Sequence, residues 1–140
     1  MKIQRFLQSS PLFALHRVYA QAIGDFQRTL STEGVHFVEA LILTGLFFEE
    51  ASVRPSTLAD TFACGRPNVS HAIRSLEASG WVERANHGSD ARGYMISITR
   101  LGRKKAQKLI HLFDIEQARL ESIGGDELNA ALRKFLGRGR

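Results

Sequence analysis

Asn68, Ser70, His71 and Arg74 fall within seven consecutive residues. At 100° per residue, His71 and Arg74 share one helical face with Pro67 and Ala78, flanked by Asn68, Ser70 and Ser75. Val69, Ala72, Ile73 and Leu76 take the opposite face and are candidate core. Arginine and asparagine can bond base edges through paired hydrogen bonds, and serine can meet either a base or a phosphate. A helix opening at Gly65-Arg66-Pro67 adds free N–H groups and a partial positive charge at its first turn, which suit a phosphate oxygen. Alone, this pattern is also that of an ordinary solvated amphipathic helix. Its neighbours must decide.

Other chemistry is thinly represented. The five histidines, His16, His36, His71, His87 and His111, stand at no ligand spacing with one another or with the single cysteine, so no metal site is expected. Cys64 has no partner for a disulfide, fits a reducing compartment, and is expected to be a buried structural thiol. There is no phosphate-cradling glycine loop, no nucleophile elbow and no evident carboxylate pair, so neither catalysis nor a cofactor is expected.

The elements around the polar helix define its setting. Ser10-Pro11 starts a helix whose apolar positions, Leu12, Leu15, Tyr19, Ala22, Ile23, Phe26 and Leu30, recur at three- and four-residue steps. A second, almost wholly apolar helix runs from Val35 to Glu50. Val53-Arg54-Pro55 reads as an extended link, and Ser56 as the cap of a short helix from Thr57 to Ala63. The polar helix follows and stops at Gly80. The apolar period then changes to two: Trp81 to Arg84, and Tyr94, Ile96 and Ile98, predict a hairpin with a turn-rich tip. Thr99 caps a long helix to Ile123, Gly124-Gly125 ends it, and Asp126 to Leu136 forms a last helix presenting Leu128, Leu132, Phe135 and Leu136. The expected fold is mainly α (α+β), a winged helix-turn-helix with helical extensions in the order ααααββαα.

Charge agrees with this division. The 140 residues carry a net +5, but residues 51–108 hold ten basic against four acidic side chains, while residues 1–50 and 109–140 are nearly neutral. A local +6 on the two short helices, the hairpin and the start of the long helix is the footprint of a protein that meets a polyanion. Membrane readings fail: the longest apolar stretch, Ala40 to Phe48, is nine residues against about 20 needed to span a bilayer, and no signal peptide is evident. A cytoplasmic location is expected. At the hairpin tip, Arg92 is placed to enter a narrow minor groove, with Arg84, His87, Ser89 and Asp90 supporting the wing.

From Leu58 to Lys105 the chain resembles the MarR (multiple antibiotic resistance regulator) family of transcription factors. The resemblance is carried by Leu58-Ala59, by Arg66-Pro67-x-Val69-Ser70, by the run Leu76-Glu77-x-x-Gly80-Trp81-Val82-Glu83-Arg84, by Asp90-x-Arg92 and by Ile98-Thr99-x-x-Gly102-Arg103. It implies a homodimer on a palindromic operator in double-stranded DNA, more often as a repressor. Residues 52–100 would form the DNA-binding lobe and residues 1–34 and 101–137 the dimerisation region. It also implies that Arg66, Pro67, Asn68, Ser70, His71 and Arg74 meet DNA, with Arg92 at the wing. Gly65 stands where the family more often has serine, and Ser75 where a basic residue is common.

The flanking helices agree with dimerisation independently, since the first helix and Leu109, Leu112, Phe113, Leu120 and Ile123 hold more apolar surface than a small winged lobe needs. The resemblance further implies release by a small aromatic or anionic effector, for which Phe13, His16, Arg17, Tyr19 and His36 are the candidate lining. A second reading of the basic lobe is a protein-interaction module with an acidic partner. Duplex binding separates the two.

Overall fold

The computed structural model describes residues 1–85 and 93–138. The wing-tip candidates His87, Ser89, Asp90 and Arg92 therefore lie outside the described residues. The elements are α1 (Lys2–Ser9), α2 (Pro11–Ser31), α3 (Phe37–Glu49), α4 (Pro55–Thr61), α5 (Arg66–Ala78), β1 (Val82–Ala85), β2 (Met95–Ile98) and α6 (Arg100–Arg138). This is the expected winged helix-turn-helix with helical extensions, with α1 added before it. The sequence reading placed no element before Ser10, because eight residues are too few to show a convincing period. Phe6 anchors α1 by packing edge-on against Phe13, with ring centroids 5.3 Å apart.

α3 is the central post. It packs on α5 and α6 and touches α2 and β2. Ile42, Leu43 and Leu46 are fully buried there, together with Leu30 from α2, Ile73 and Leu76 from α5, Ile96 from β2 and Leu109 from α6. An aromatic trio, Phe26, Phe37 and Phe113, joins α2, α3 and α6, with Phe26 and Phe113 centroids 4.8 Å apart. Gln27 braces the turn between α2 and α3. Its amide donates to the Val35 carbonyl (3.1 Å), and its side-chain oxygen accepts from the Phe37 N–H (2.8 Å), a donor that the cap residue His36 leaves unmet.

Local signals hold at several element ends. Ser10 Oγ accepts from the Phe13 N–H with Pro11 in the first turn, and Thr99 Oγ1 accepts from the Gly102 N–H while donating to the Gly80 carbonyl. The short helix differs from expectation. Pro55 opens α4, Arg54 occupies the cap position, and Ser56 is inside the helix rather than capping it. Proline's fixed φ suits the first helical position, so the helix starts two residues earlier than expected, at Pro55.

The link before α4 also gains a role. The Val53 N–H donates to the Ile96 carbonyl and the Ile96 N–H to the Val53 carbonyl, both at 2.9 Å. Val53 thus extends the antiparallel β1–β2 pair, in which Val82 faces Ile98 and Arg84 faces Ile96. Cys64 is half-buried, not buried: it sits in the turn after Ala63, whose φ is 52°, and its thiol donates to the Phe62 carbonyl at 3.4 Å.

Gly102 fixes how closely α6 meets the hairpin, since a Cβ there would lie 2.0 Å from the Trp81 carbonyl oxygen. The span α6 holds two helices, as the sequence leads one to expect, separated at Gly125, whose φ of 59° and ψ of −161° are not helical. The surplus apolar surface expected on α6 is smaller than the sequence reading had it. Leu109 is buried and Leu112 and Phe113 pack on the core, because the first half of α6 lies along α3; Ile123 remains exposed.

Candidate nucleic-acid interface

α5 is held from behind. Val69, Ala72, Ile73 and Leu76 are buried against α3 and α4, which leaves Arg66, Pro67, Asn68, His71 and Arg74 exposed and Ser70 half-buried. The structure therefore brings all six α5 candidates onto one accessible surface beside the hairpin. Gly65 at the cap offers no side-chain acceptor, so first-turn N–H groups of α5 keep their capacity for an outside oxygen.

That surface has two unlike flanks. On one side Arg66 and Ser70, one turn apart, share a hollow of about 330 Å³ with Arg54 and Ser56 at the start of α4 and with Gly93 and Tyr94 at the wing root. On the other, Asn68 and His71 border a smaller hollow of about 150 Å³ with His36, Val38 and Glu39 of the α3 start. Ser75 lies on this second flank and donates to the buried Glu39 at 3.3 Å. This serine braces the polar helix against α3, a use the sequence did not suggest.

Arg84 bridges the hairpin and α5. Its Nε donates to both Glu77 carboxylate oxygens (3.1 and 3.2 Å), and its guanidinium stacks 3.9 Å above the Tyr94 ring. One side chain thus ties β1, β2's approach and the end of α5 together. A second tie joins the helical ends to the lobe: Lys105 Nζ reaches Glu33 Oε2 at 2.6 Å and lies 5.1 Å from the Trp81 ring centroid. Its hydrogen bond, more than its charge, holds the Glu33 carboxyl below the ordinary carboxylate value.

The five effector candidates do not share a site within the chain. Phe13, His16, Arg17 and Tyr19 lie on the exposed first half of α2, and His36 belongs to the hollow beside α5. A separate hollow of about 390 Å³ opens between α3 and α6, with Thr44, Phe48, Phe113 and Gln117 in its walls. Among the described residues, no group of three or more His, Cys, Asp or Glu is arranged to hold a metal ion, and no helix is long and apolar enough to cross a membrane.

Sequence reasoning missed Arg54, Ser56 and Tyr94 as parts of the interface. The signal was present only as charge and alternation; the Val53–Ile96 pairing that gathers them is non-local.

No protein-family profile and no curated protein sequence matches the chain. Its fold is nonetheless the MarR winged-helix fold. The Staphylococcus aureus MepR–DNA complex superposes with a TM-score of 0.79 at 18% identity, covering 92% of this chain and 95% of MepR. CouR from Rhodococcus jostii RHA1, bound to p-coumaroyl-CoA, gives 0.80 at 21% identity over 93% of this chain and 91% of its own. A MarR family transcriptional regulator from Silicibacter pomeroyi DSS-3 gives 0.80 at 21% identity, covering 96% of this chain and 98% of that one.

Proposed function

We propose that this protein is a sequence-specific regulator of transcription that binds double-stranded DNA as a homodimer. The observation that carries the reading is the exposed face of α5, with Asn68, His71 and Arg74 outward and a hairpin beside it, inside the most basic part of the chain. Such a helix lies in a major groove, its side chains meeting base edges, while the wing reaches the neighbouring groove. Residues 52–100 are the DNA-binding lobe, and residues 1–34 and 101–137 form the dimer. Exposed Ile3, Phe6, Leu12, Phe135 and Leu136 on α1, α2 and α6 support that assignment, since apolar faces of this extent favour a protein partner. Two lobes related by a two-fold axis read a palindromic operator, and occupancy of that DNA represses by excluding other proteins from it. MepR, crystallised with DNA, supports the reading by analogy of fold.

An effector belongs to the same proposal. CouR holds p-coumaroyl-CoA, and the hollow between α3 and α6 is within the size range of small-molecule sites. Its occupant here would be a small aromatic compound rather than an anion, since Asp114 is the charged side chain in its walls, and binding would raise the thermal midpoint of the protein.

Salt titration of duplex binding tests the central reading. If six to ten phosphates are neutralised, affinity falls about 10³–10⁵-fold between 50 and 200 mM salt. Equal, weak binding to every duplex would instead favour the module that meets an acidic protein.

A further inference from the structure

The two flanks of α5 differ in what they can hold. The hollow on the α4 side combines two guanidinium groups, Arg54 and Arg66, with the hydroxyls of Ser56, Ser70 and Tyr94, and among the described residues no carboxylate lines it. Its walls are substantially polar, whereas three other hollows among the described residues, including the one beside Asn68 and His71, are chiefly apolar. At about 330 Å³ it has room for about ten waters at liquid density, so an oxyanion can enter with part of its hydration. The first turn of the thirteen-residue α5 adjoins it and lacks a side-chain cap. Guanidinium forks, hydroxyls and open N–H groups facing one space are donors for the oxygens of a phosphate.

The walls are also braced. Val53 is paired to Ile96, which sets Arg54 opposite α5, and Arg84 stacks on Tyr94 while bonding Glu77 of α5. The backbone before Arg54 is thus tied to β2, and the wing root to the end of α5.

We propose that this hollow seats a backbone phosphodiester of the bound duplex, so that Arg66 and Ser70 position the protein while Asn68, His71 and Arg74 read the bases. The inference rests on the duplex-binding reading above and deepens it, because it divides the candidate contacts of one helix into two classes. A phosphate contact carries no sequence information, while a base contact does.

The experiment compares R54Q, R66Q and R74Q with the unaltered protein on a selected operator and its single-base variants, across a salt series. Dimer size and far-UV circular dichroism establish that each variant is folded. R66Q is expected to lower the salt slope by about one and R54Q by up to about one, each weakening all duplexes by the same factor. R74Q is expected to narrow the ratio between operator and variant by about tenfold. A changed ratio with R66Q, or an unchanged slope with R54Q and R66Q, would overturn the proposal. Inorganic phosphate, titrated at constant ionic strength, separates the two sources of the same chemistry. Millimolar competition that is lost in R66Q supports a seat for a backbone phosphate, and micromolar binding to the free protein overturns it in favour of a small-anion site. If the unaltered protein prefers no sequence, the regulator reading fails, and the salt slopes still decide whether the hollow holds phosphate.

Discussion

The middle and the ends of this chain use similar amphipathic helices to opposite effect. Among the described residues, every buried hydrophobic side chain falls between Phe26 and Leu109. Exposed large apolar residues concentrate outside that span, at Ile3, Phe6, Leu12, Val18 and Tyr19 before it and at Ile123, Phe135 and Leu136 after it. The middle of the chain closes its own core, whereas the ends leave many large apolar side chains exposed, even with Phe6 packed on Phe13. Under the proposed function those exposed side chains would meet a second copy of the chain.

Removing an apolar group from each region should therefore have unlike consequences. Leu43→Ala in the closed core is expected to lower the free energy of unfolding by about 2–5 kcal/mol, at any protein concentration. Chemical denaturation checks it, and a loss under about 1 kcal/mol would mean that α3 is not the central post. At the ends, Phe135→Glu should raise the dimer dissociation constant about 100-fold, or roughly 2.7 kcal/mol, with the lobe still folded. Sedimentation with circular dichroism reads both. Dimerisation unaffected by the charge would place the interface elsewhere.

On the outer surface of the lobe, Asn68→Ala should cost about 1–3 kcal/mol of discrimination between operator variants while leaving stability unchanged. Competition binding on single-base variants measures it, and an unchanged ranking would remove Asn68 from base reading. The smallest effect is expected at the Glu33–Lys105 pair, between the α2–α3 turn and α6. Because the folded protein holds Glu33 below its ordinary 4.5, the unfolded chain takes up that proton first. The Lys105 contact then stabilises fully above the ordinary value and fades as pH falls through the lowered one. Glu33→Gln should remove this acid dependence and less than about 1 kcal/mol; an unaltered acid limb in the stability profile would show that the contact does not tie the α2–α3 turn to α6.

Where the sequence was legible, the cause was local. Ser10-Pro11, Thr99 and Gly80 mark element ends through bonds to residues close in the chain or through a permitted backbone angle, with Gly80 at φ 75°. The period of α5 separated Val69, Ala72, Ile73 and Leu76 from the polar face because one helix has only two sides to offer. What stayed hidden depends on distant partners. Val53 looks like a linker until Ile96 pairs with it, Ser75 looks like surface until Glu39 accepts from it, and Arg54 is one cation among ten until α5 and the wing root face it across a hollow. Ser56 misled for a related reason: two residues compatible with a helix start stood side by side, and proline took the position.

Selecting binding sites for the full chain from random duplexes tests the central claim most directly. Enrichment of a palindrome, with half-sites about 10 base pairs apart, is the predicted result, since two lobes joined through helical ends must read the same sequence in opposite directions. Recovery of unenriched sequence, bound no better than the starting pool, would contradict it.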